Sequence, residues 1–308
     1  APLDIHDLLR FQPGIYTGGK TLQSRTAGQY TLRGMSGSDV MIGGTLALPG
    51  FMGTFLDPTA LERIEIVKGP VGAISGGGGS SLGAYGAGGS VNLVLKQADL
   101  DASFRHVGAR AMLGEGTQRY RLSFDSNQSA WTEDVALRIP GNVEYGKSSW
   151  LPGGYDWRRS FFIAPSLVFR LNDRLKLGID TTVQYTDQPG YQGIPIFRGK
   201  PWGDYDWDSH LPATDMRDKY LGYTLQAWLD WNVTDHILSR AGISLAHADI
   251  ESEHLGASAY ASPSTQVPYS YSYYDSTMKN WNVYERIVAQ FDTATLIHTL
   301  AIQADYSE

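Results

Sequence analysis

The chain has 308 residues, a formal net charge of −7, 35 glycines, 18 tyrosines and no cysteine. A hydrophobic share of 42% excludes a disordered chain, and the lack of cysteine excludes a disulfide framework and a thiolate metal site. The acidic balance argues against nucleic acid as a partner, because nonspecific binding needs Lys and Arg to neutralise phosphates. No run approaches the ~18 apolar residues of a transmembrane helix, which leaves a soluble protein or a membrane β-barrel.

The first hundred residues contain short elements separated by turns. The pattern predicts a short helix over 5–11 and strands near 30–33, 63–67 and 90–96. Ten of the 21 residues from Gly69 to Gly89 are glycine. This run lacks the Gly-Lys-Ser/Thr ending of a phosphate-binding loop, so we interpret it as a loop of tight backbone turns.

From about residue 103 onward, apolar and polar residues alternate, most clearly over 175–186 and 221–233. The alternation predicts nine strands, near 103–113, 118–128, 134–147, 159–171, 174–187, 218–233, 236–250, 279–291 and 296–306. Alternation alone fits two architectures. A soluble sandwich hides its apolar face, whereas an outer-membrane barrel exposes that face to lipid.

Strand and loop lengths favour the barrel. Many predicted strands run 12 to 16 residues, longer than the ~5–6 of globular strands. Short links at 172–174, 234–235 and 292–295 alternate with long links at 148–158, 188–216 and 251–278, and the short link at 114–117 is an exception. The last strand has no closing partner, and open strand edges are not tolerated in lipid. We therefore expect the chain to be an N-terminal part of a longer protein.

Several motifs, taken in order, resemble the plug domain of TonB-dependent outer-membrane receptors. They are LL at 8–9, QPGI at 12–15, YTLRG at 30–34, DVMIGG at 39–44, LERIEIVKGPV at 61–71 and GGSVNLV at 88–94. Farther on, PGYQGIP at 189–195 and AQFD at 289–292 with HTL at 298–300 are similar to the siderophore-receptor branch of that family. One departure is Gly43-Gly44, where the family usually has Asp-Gly.

The resemblance implies a mainly β protein. An α+β plug domain, incomplete at its N-terminus, would occupy residues 1–98. The first nine or so antiparallel transmembrane strands would occupy 99–308, out of about 22 in the complete barrel. The expected protein is a monomer in the lipid of a Gram-negative outer membrane, coupled to the TonB energy complex through a TonB box upstream of Ala1. It is not expected to be an enzyme. Iron would travel inside the siderophore, so neither a protein-bound cofactor nor a protein metal site is expected.

The resemblance also implies site residues. By position, the ligand would contact a plug loop and an outer loop, at Leu46, Leu48, Phe51, Tyr191, Trp202, Tyr205 and Trp207. The alternative for the loop aromatics is an interfacial girdle of the kind that concentrates Trp and Tyr at strand ends. Arg33 and Lys68 would lie where plug cations meet barrel carboxylates, on strands outside this chain.

Two charged clusters have ordinary structural interpretations. In the first, alternation places Glu62 with Lys68 on one strand face and Arg63 with Glu65 on the other, which predicts ion pairing rather than acid–base catalysis. In the second cluster, His247, Asp249, Glu251 and Glu253 continue the apolar parity of the strand near 236–250, and His254 is adjacent to them. We interpret it as a solvated strand extension beyond the membrane rather than a metal site, since no zinc-ligand spacing occurs.

Three functions stay open at this stage. The first is active import of a ferric siderophore. The second keeps the receptor family but changes the cargo to cobalamin, a glycan or another metal chelate. The third is a soluble secreted β protein or enzyme.

Overall fold

The computed structural model describes residues 5–9, 11–17, 30–36, 39–46, 56–69, 89–114, 116–148, 157–190, 196–197, 200–201, 216–257 and 269–308. Within these ranges, no helix is both long enough and apolar enough to cross a membrane.

The N-terminal region forms two small sheets and one short helix. Their bounds are α1 Ile5–Leu9, β1 Ile15–Thr17, β2 Tyr30–Leu32, β3 Met35–Ser36, β4 Asp39–Ile42, β5 Thr45–Leu46, β6 Leu61–Lys68 and β7 Gly89–Leu95. One sheet has the order β1-β2-β3 and the other β5-β4-β7-β6, in which β4 and β7 run parallel. A 3-10 turn at Pro58–Ala60 leads into β6. The predicted helix and strands of this region are therefore present, the helix being two residues shorter.

A single apolar core joins these elements to the strands that follow. Leu9, Leu32 and Leu93 are fully buried, and Phe162, from the later sheet, is only 1% exposed in the same cluster. Burying side chains of this size stabilises a fold by roughly 1.5–3 kcal/mol each. The N-terminal region is thus packed against the wall of the large sheet.

The large sheet is antiparallel, and its strands are ordered in the sheet largely as they are in the chain. Its strands are β8 Phe104–Gly114, β9 Thr117–Ser129, β10 Val135–Ser148, β11 Trp157–Ile163, β12 Ser166–Asn172, β13 Leu175–Pro189, β16 Arg217–Thr234, β17 Ile237–Ala257, β18 Tyr269–Thr293 and β19 Leu296–Ser307. A separate two-residue hairpin pairs β14 Ile196–Phe197 with β15 Lys200–Pro201. The nine predicted strands correspond to these strands of the large sheet, except that the strand predicted over 159–171 is divided into β11 and β12 at Ala164 and Pro165.

The distribution of apolar and polar side chains between the two faces of the sheet is the reverse of that in a soluble protein. Large apolar side chains such as Leu221, Tyr223 and Ile243 are 41–45% exposed on the outer face. Polar side chains on the inner face, such as Gln188 and Asn282, are 0–2% exposed. A soluble sandwich would bury the apolar row. The pattern is that of strands whose outer face meets lipid and whose inner face lines a lumen.

Glu285 interrupts the apolar outer face. It lies between Val283 and Ile287 on β18, and it accepts a hydrogen bond of 3.3 Å from Ser239 Oγ on β17. A carboxylate facing lipid is costly, although less so than Lys or Arg.

The connections support the predicted alternation of short and long links. Turns at 173–174, 235–236 and 294–295 lie at one end of the sheet, which we call the inner end. The prediction of a long loop over 251–278 was largely wrong. β17 and β18 stay paired from His247↔Lys279 up to Ala257↔Tyr269, because the hydrogen-bond ladder continues above the apolar face. The group from His247 to Glu253 lies on this extension, as the solvated interpretation requires.

Aromatic rings cover glycines on neighbouring strands. A Cβ on Gly178 would lie 2.1 Å from Trp228 Cζ2, and one on Gly242 would lie 2.6 Å from the Tyr284 hydroxyl. Both pairs are directly opposite in the register. The glycines therefore leave room for inward-facing rings that cover the exposed backbone.

Candidate functional site

The ligand-binding prediction falls almost entirely outside the described residues. Leu46 is described only as the last residue of β5. The other predicted contacts lie outside the described ranges, namely Leu48, Phe51, Tyr191, Trp202, Tyr205 and Trp207. The ligand site therefore stays a prediction, but the residues that hold the plug segments around it are described.

The β4–β5 turn, which leads to Leu46, is fixed against the lumen wall. Gln226 Nε2 on β16 donates a buried hydrogen bond of 2.9 Å to the carbonyl of Ile42. Gly43 and Gly44 both have positive φ, and a Cβ on Gly43 would lie 2.8 Å from Gln226 Oε1. The departure from Asp-Gly at this turn therefore leaves space for the wall glutamine.

A hydrogen-bonded chain inside the plug holds the same turn. The backbone N–H of Gly44 donates to Asn92 Oδ1 at 2.9 Å, and Asn92 Nδ2 donates to Glu65 Oε2 at 2.8 Å. The bond from Asn92, assisted by Arg63, holds the pKa of the Glu65 carboxyl below its usual value. The ionised form of Glu65 is therefore the one that supports the turn.

Residues 56–60 contact the outer half of the wall. Asp57 Oδ1 accepts from Thr59 N at 2.8 Å as a helix cap and from Arg121 Nη2 at 2.5 Å. Arg121 also donates to Thr59 Oγ1 at 2.6 Å. Because Asp57 and Arg121 are only 12% and 10% exposed in their side chains, water screens this ion pair weakly.

Arg121 belongs to a larger buried cluster on the wall. Glu144 on β10 has a side chain 1% exposed and contacts three guanidinium groups: Arg119 at 2.7 Å, Arg158 at 3.2 Å and Arg121 at 3.6 Å. Arg158 stands at the start of β11, near the root of an outer loop, and donates to Gln188 at 3.0 Å. The cluster thus runs from the plug, through Arg121 and Glu144, to the roots of two outer loops.

The connector between β7 and β8 is bonded to the inner half of the wall. Lys96 Nζ pairs with Asp125 at 2.8 Å, and Gln97 Nε2 donates to Asp180 at 2.9 Å. The backbone N–H of Ala98 donates to Ser166 Oγ at 2.9 Å. The boundary predicted between residues 98 and 99 lies inside this connector.

The two predicted plug cations are described. Arg33 has a positive φ of 54°, and its Nη1 lies 3.9 Å from where a Cβ on Gly69 would be, beside Lys68. Neither cation forms an ion pair with another described residue. Since the predicted carboxylate partners were placed on strands outside this chain, plug-to-barrel pairing by Arg33 and Lys68 stays a prediction.

Of the two ion pairs predicted for the first charged cluster, Arg63 with Glu65 is present, whereas Glu62 pairs with Arg138 and not with Lys68. Arg63 pairs with Glu65 at 2.7 Å, and Glu62 reaches Arg138 at 3.5 Å. On the β17 extension, His247 contacts Asp249 at 2.9 Å and stacks on Tyr223. Over the described ranges, no group of three or more potential ligands could hold a metal ion.

The cluster of Asp57, Arg121 and Glu144 was not predicted from the sequence. The available signal was that Arg119, Arg121 and Glu144 fall on the polar parity of adjacent predicted strands. Alternation alone does not give the register that places them opposite each other, nor their contact with the plug.

Fold and site together define a class of architecture: a wall of antiparallel strands with an N-terminal plug bonded to its polar inner face. The family model described as TonB-dependent Receptor Plug Domain matches residues 1–81. The Ferrioxamine B receptor of Salmonella typhimurium strain SL1344 is 25% identical over 82% of this chain and 35% of its own length. The Ferrioxamine receptor of Yersinia enterocolitica is 24% identical over 99% of this chain and 42% of its own length.

Solved structures share the fold. The siderophore receptor PiuA from Acinetobacter baumannii has a TM-score of 0.82 at 21% identity, covering 99% of this chain and 43% of that one. The ferripyoverdine receptor of Pseudomonas aeruginosa has a TM-score of 0.78 at 17% identity, covering 99% and 40%. The chain spans less than half the length of these relatives. Residues 1–81 are thus similar to the TonB-dependent receptor plug domain, and the chain shares the fold of these receptors.

Proposed function

We propose that the protein containing this chain imports a ferric siderophore across the outer membrane, energised by the TonB complex. It acts as a transporter rather than an enzyme, and the iron enters inside its chelate, so the protein needs no bound cofactor. The plug fills the lumen at rest and must move for the cargo to pass.

The observation that carries this proposal is the plug bonded to a polar lumen wall beneath the outer loops. Asp57 and the Gly43-Gly44 turn contact the wall on either side of the predicted ligand loop. Ferric chelates exceed what a porin lumen admits, so such a plugged channel needs a binding site and a gate. The relatives named as ferrioxamine receptors support a siderophore over cobalamin or a glycan as the cargo.

Growth on a panel of ferric siderophores as sole iron source tests the proposal. A strain lacking the full-length receptor is compared with the same strain carrying it, and we expect growth to differ on at least one chelate. Equal growth on every chelate would contradict siderophore import.

The same strains test the predicted ligand loop. We expect Trp202→Ala to lower uptake of the active chelate. Trp131→Ala is the control, because Trp131 is 83% exposed in the turn between β9 and β10 at the inner end. Equal uptake by the two variants would remove residue 202 from the site.

A further inference from the structure

One buried carboxylate on the lumen wall joins guanidinium groups from the strands on either side of it. Glu144 on β10 has a side chain that is 1% exposed, and its two oxygens face different partners. Arg158 Nε on β11 lies 3.2 Å from Oε1, whereas Arg121 Nη1 on β9 lies 3.6 Å from Oε2. Arg119 Nη2 lies 2.7 Å from both oxygens. A turn of the carboxylate toward one partner therefore changes its distance to the others.

Arg121 is shared between Glu144 and the plug. Its Nη2 donates to Asp57 Oδ1 at 2.5 Å and to Thr59 Oγ1 at 2.6 Å, while its Nη1 faces Glu144. Because the side chains of Arg121 and Asp57 are only 10% and 12% exposed, water screens the attraction of Arg121 to either carboxylate weakly. A stronger attraction of Arg121 to Glu144 would therefore weaken its hold on the plug segment 56–60.

Arg158 ties the same carboxylate to the roots of two links at the outer end of the sheet. It is the second residue of β11, and its Nη1 donates to Gln188 Oε1 at 3.0 Å. Gln188 is fully buried and is the penultimate residue of β13, just before the link that holds most of the predicted ligand residues. A displacement of either side chain by contact with cargo would therefore reach Glu144 within two contacts.

Electrostatics gives the direction of the effect. Glu144 shares its negative charge among three guanidinium groups, so the loss of one leaves more attraction for the other two. When Arg158 moves away, Arg121 should shift from Asp57 toward Glu144. The plug segment 56–60 should then open more readily, because a buried ion pair that loses its geometry no longer compensates the desolvation of its charges.

We propose that Glu144 is a positioning residue that couples the roots of the outer loops to the plug segment 56–60. Contact of cargo with the loops draws Arg158 away from Glu144, and Glu144 then competes with Asp57 for Arg121. This last step rests on the proposed import function, whereas the coupling itself is a property of the ligand-free receptor. A coupling of this kind is a free energy between two sites, and a double-mutant cycle measures it.

The cycle is measured in the ligand-free full-length receptor, with hydrogen exchange of the β6 amides as the readout. Arg158→Gln should speed this exchange about three- to ten-fold in the wild-type background, within the range of couplings between buried neighbours. In the Asp57→Ala background the same substitution should change exchange by less than about two-fold, because the plug carboxylate that competes for Arg121 is gone. Arg158→Lys keeps a charge beside Glu144 and should restore exchange to nearly the wild-type rate.

A second variant and a matched control accompany the cycle. Gln188→Glu keeps the shape of the side chain but adds a carboxylate that draws Arg158 away from Glu144, so it should also speed β6 exchange. Arg217→Gln is the control, because Arg217 stands at the other end of the same outer link and pairs with Asp187 at 2.6 Å, with a side chain 11% exposed. Its loss should leave β6 exchange unchanged, and heat-dependent gel migration reports whether each barrel is intact.

Two results of the cycle would overturn the proposal. One is an equal effect of Arg158→Gln in the wild-type and Asp57→Ala backgrounds. The other is an effect of Arg158→Gln no larger than that of Arg217→Gln.

The ferric chelate that supports growth tests the last step. Its addition should speed β6 exchange in the wild type and leave exchange unchanged in Glu144→Gln, although the chelate still binds that variant. An equal response of the wild type and Glu144→Gln would overturn the role of Glu144. If no ferric chelate binds, the proposed import function fails, and the ligand-free cycle still decides whether the coupling exists.

Discussion

Replacing Asp57 should loosen the plug where it contacts the outer half of the wall. Asp57→Ala removes the cap on Thr59 N and the bond to Arg121. A lost cap costs about 1 kcal/mol and a lost charge-assisted hydrogen bond about 1.5–3 kcal/mol. The sum is about 2.5–4 kcal/mol, and solvent screening reduces it little because both side chains are nearly buried.

Hydrogen exchange in the full-length receptor measures this effect. Amides of β6, which follows the 3-10 turn directly, should exchange about 50- to 1000-fold faster in Asp57→Ala if local opening limits exchange. Asp57→Asn keeps the cap and a neutral hydrogen bond, so its increase should be clearly smaller.

Glu62→Gln is the matched control. The Glu62 side chain is 53% exposed, and its partner Arg138 keeps Asp125 at 2.9 Å, so its loss should cost under about 1 kcal/mol. Exchange in Asp57→Ala no faster than in Glu62→Gln would refute the assigned role of Asp57.

Three further predictions concern the barrel and the plug. Gly178→Ala should lower barrel stability by about 1–3 kcal/mol in thermal unfolding, because its Cβ would collide with Trp228. Gly146→Ala, where the nearest atom would lie at 3.5 Å, is the control, and equal losses would contradict the ring–glycine argument. Glu285→Leu should raise barrel stability in bilayers by about 1–2 kcal/mol, since it removes a lipid-facing carboxylate, and an unchanged or lower stability would place that face away from lipid. The pKa of Glu65 is lowered in the folded state. Its ionised carboxyl therefore contributes stability at pH values above the ordinary Glu pKa, and this contribution is lost as the pH falls through the folded-state pKa. Protection of the β4–β5 turn against exchange should therefore fall as the pH is lowered through this depressed pKa, and Glu65→Gln should remove that dependence; an identical pH profile in the variant would exclude Glu65 as the cause.

The sequence predicted the sheet because lipid selects one parity of each strand. The rows 175–185 and 221–233 are apolar along one face, and the structure shows that face largely exposed over 221–233 and partly exposed over 175–185. Beyond the apolar face, toward the outer end of the strands, lipid no longer selects apolar residues. Residues 251–257 and 269–278 therefore resemble loop in composition, although the backbone ladder pairs them. The division between β11 and β12 has a similar cause, because Pro165 lacks the N–H that a continuous strand would use.

The plug contacts could not be predicted for a different reason. Asp57 and Arg121 are 64 residues apart, and their contact depends on how the plug is seated in the lumen. The Glu144 cluster depends on the pairing of Glu144 with Arg121, which alternation does not determine. By contrast, the pairing of Arg63 with Glu65 is local to one strand face, and parity alone predicted it.

In the proposed function, this chain forms part of a plugged, energy-coupled importer of ferric siderophore. Uptake of radiolabelled iron, supplied as the chelate that supports growth, tests it in cells carrying the full-length receptor. We expect that dissipating the protonmotive force abolishes uptake while the chelate still binds at the cell surface. Uptake that continues without the protonmotive force would contradict a plug that needs energy to open.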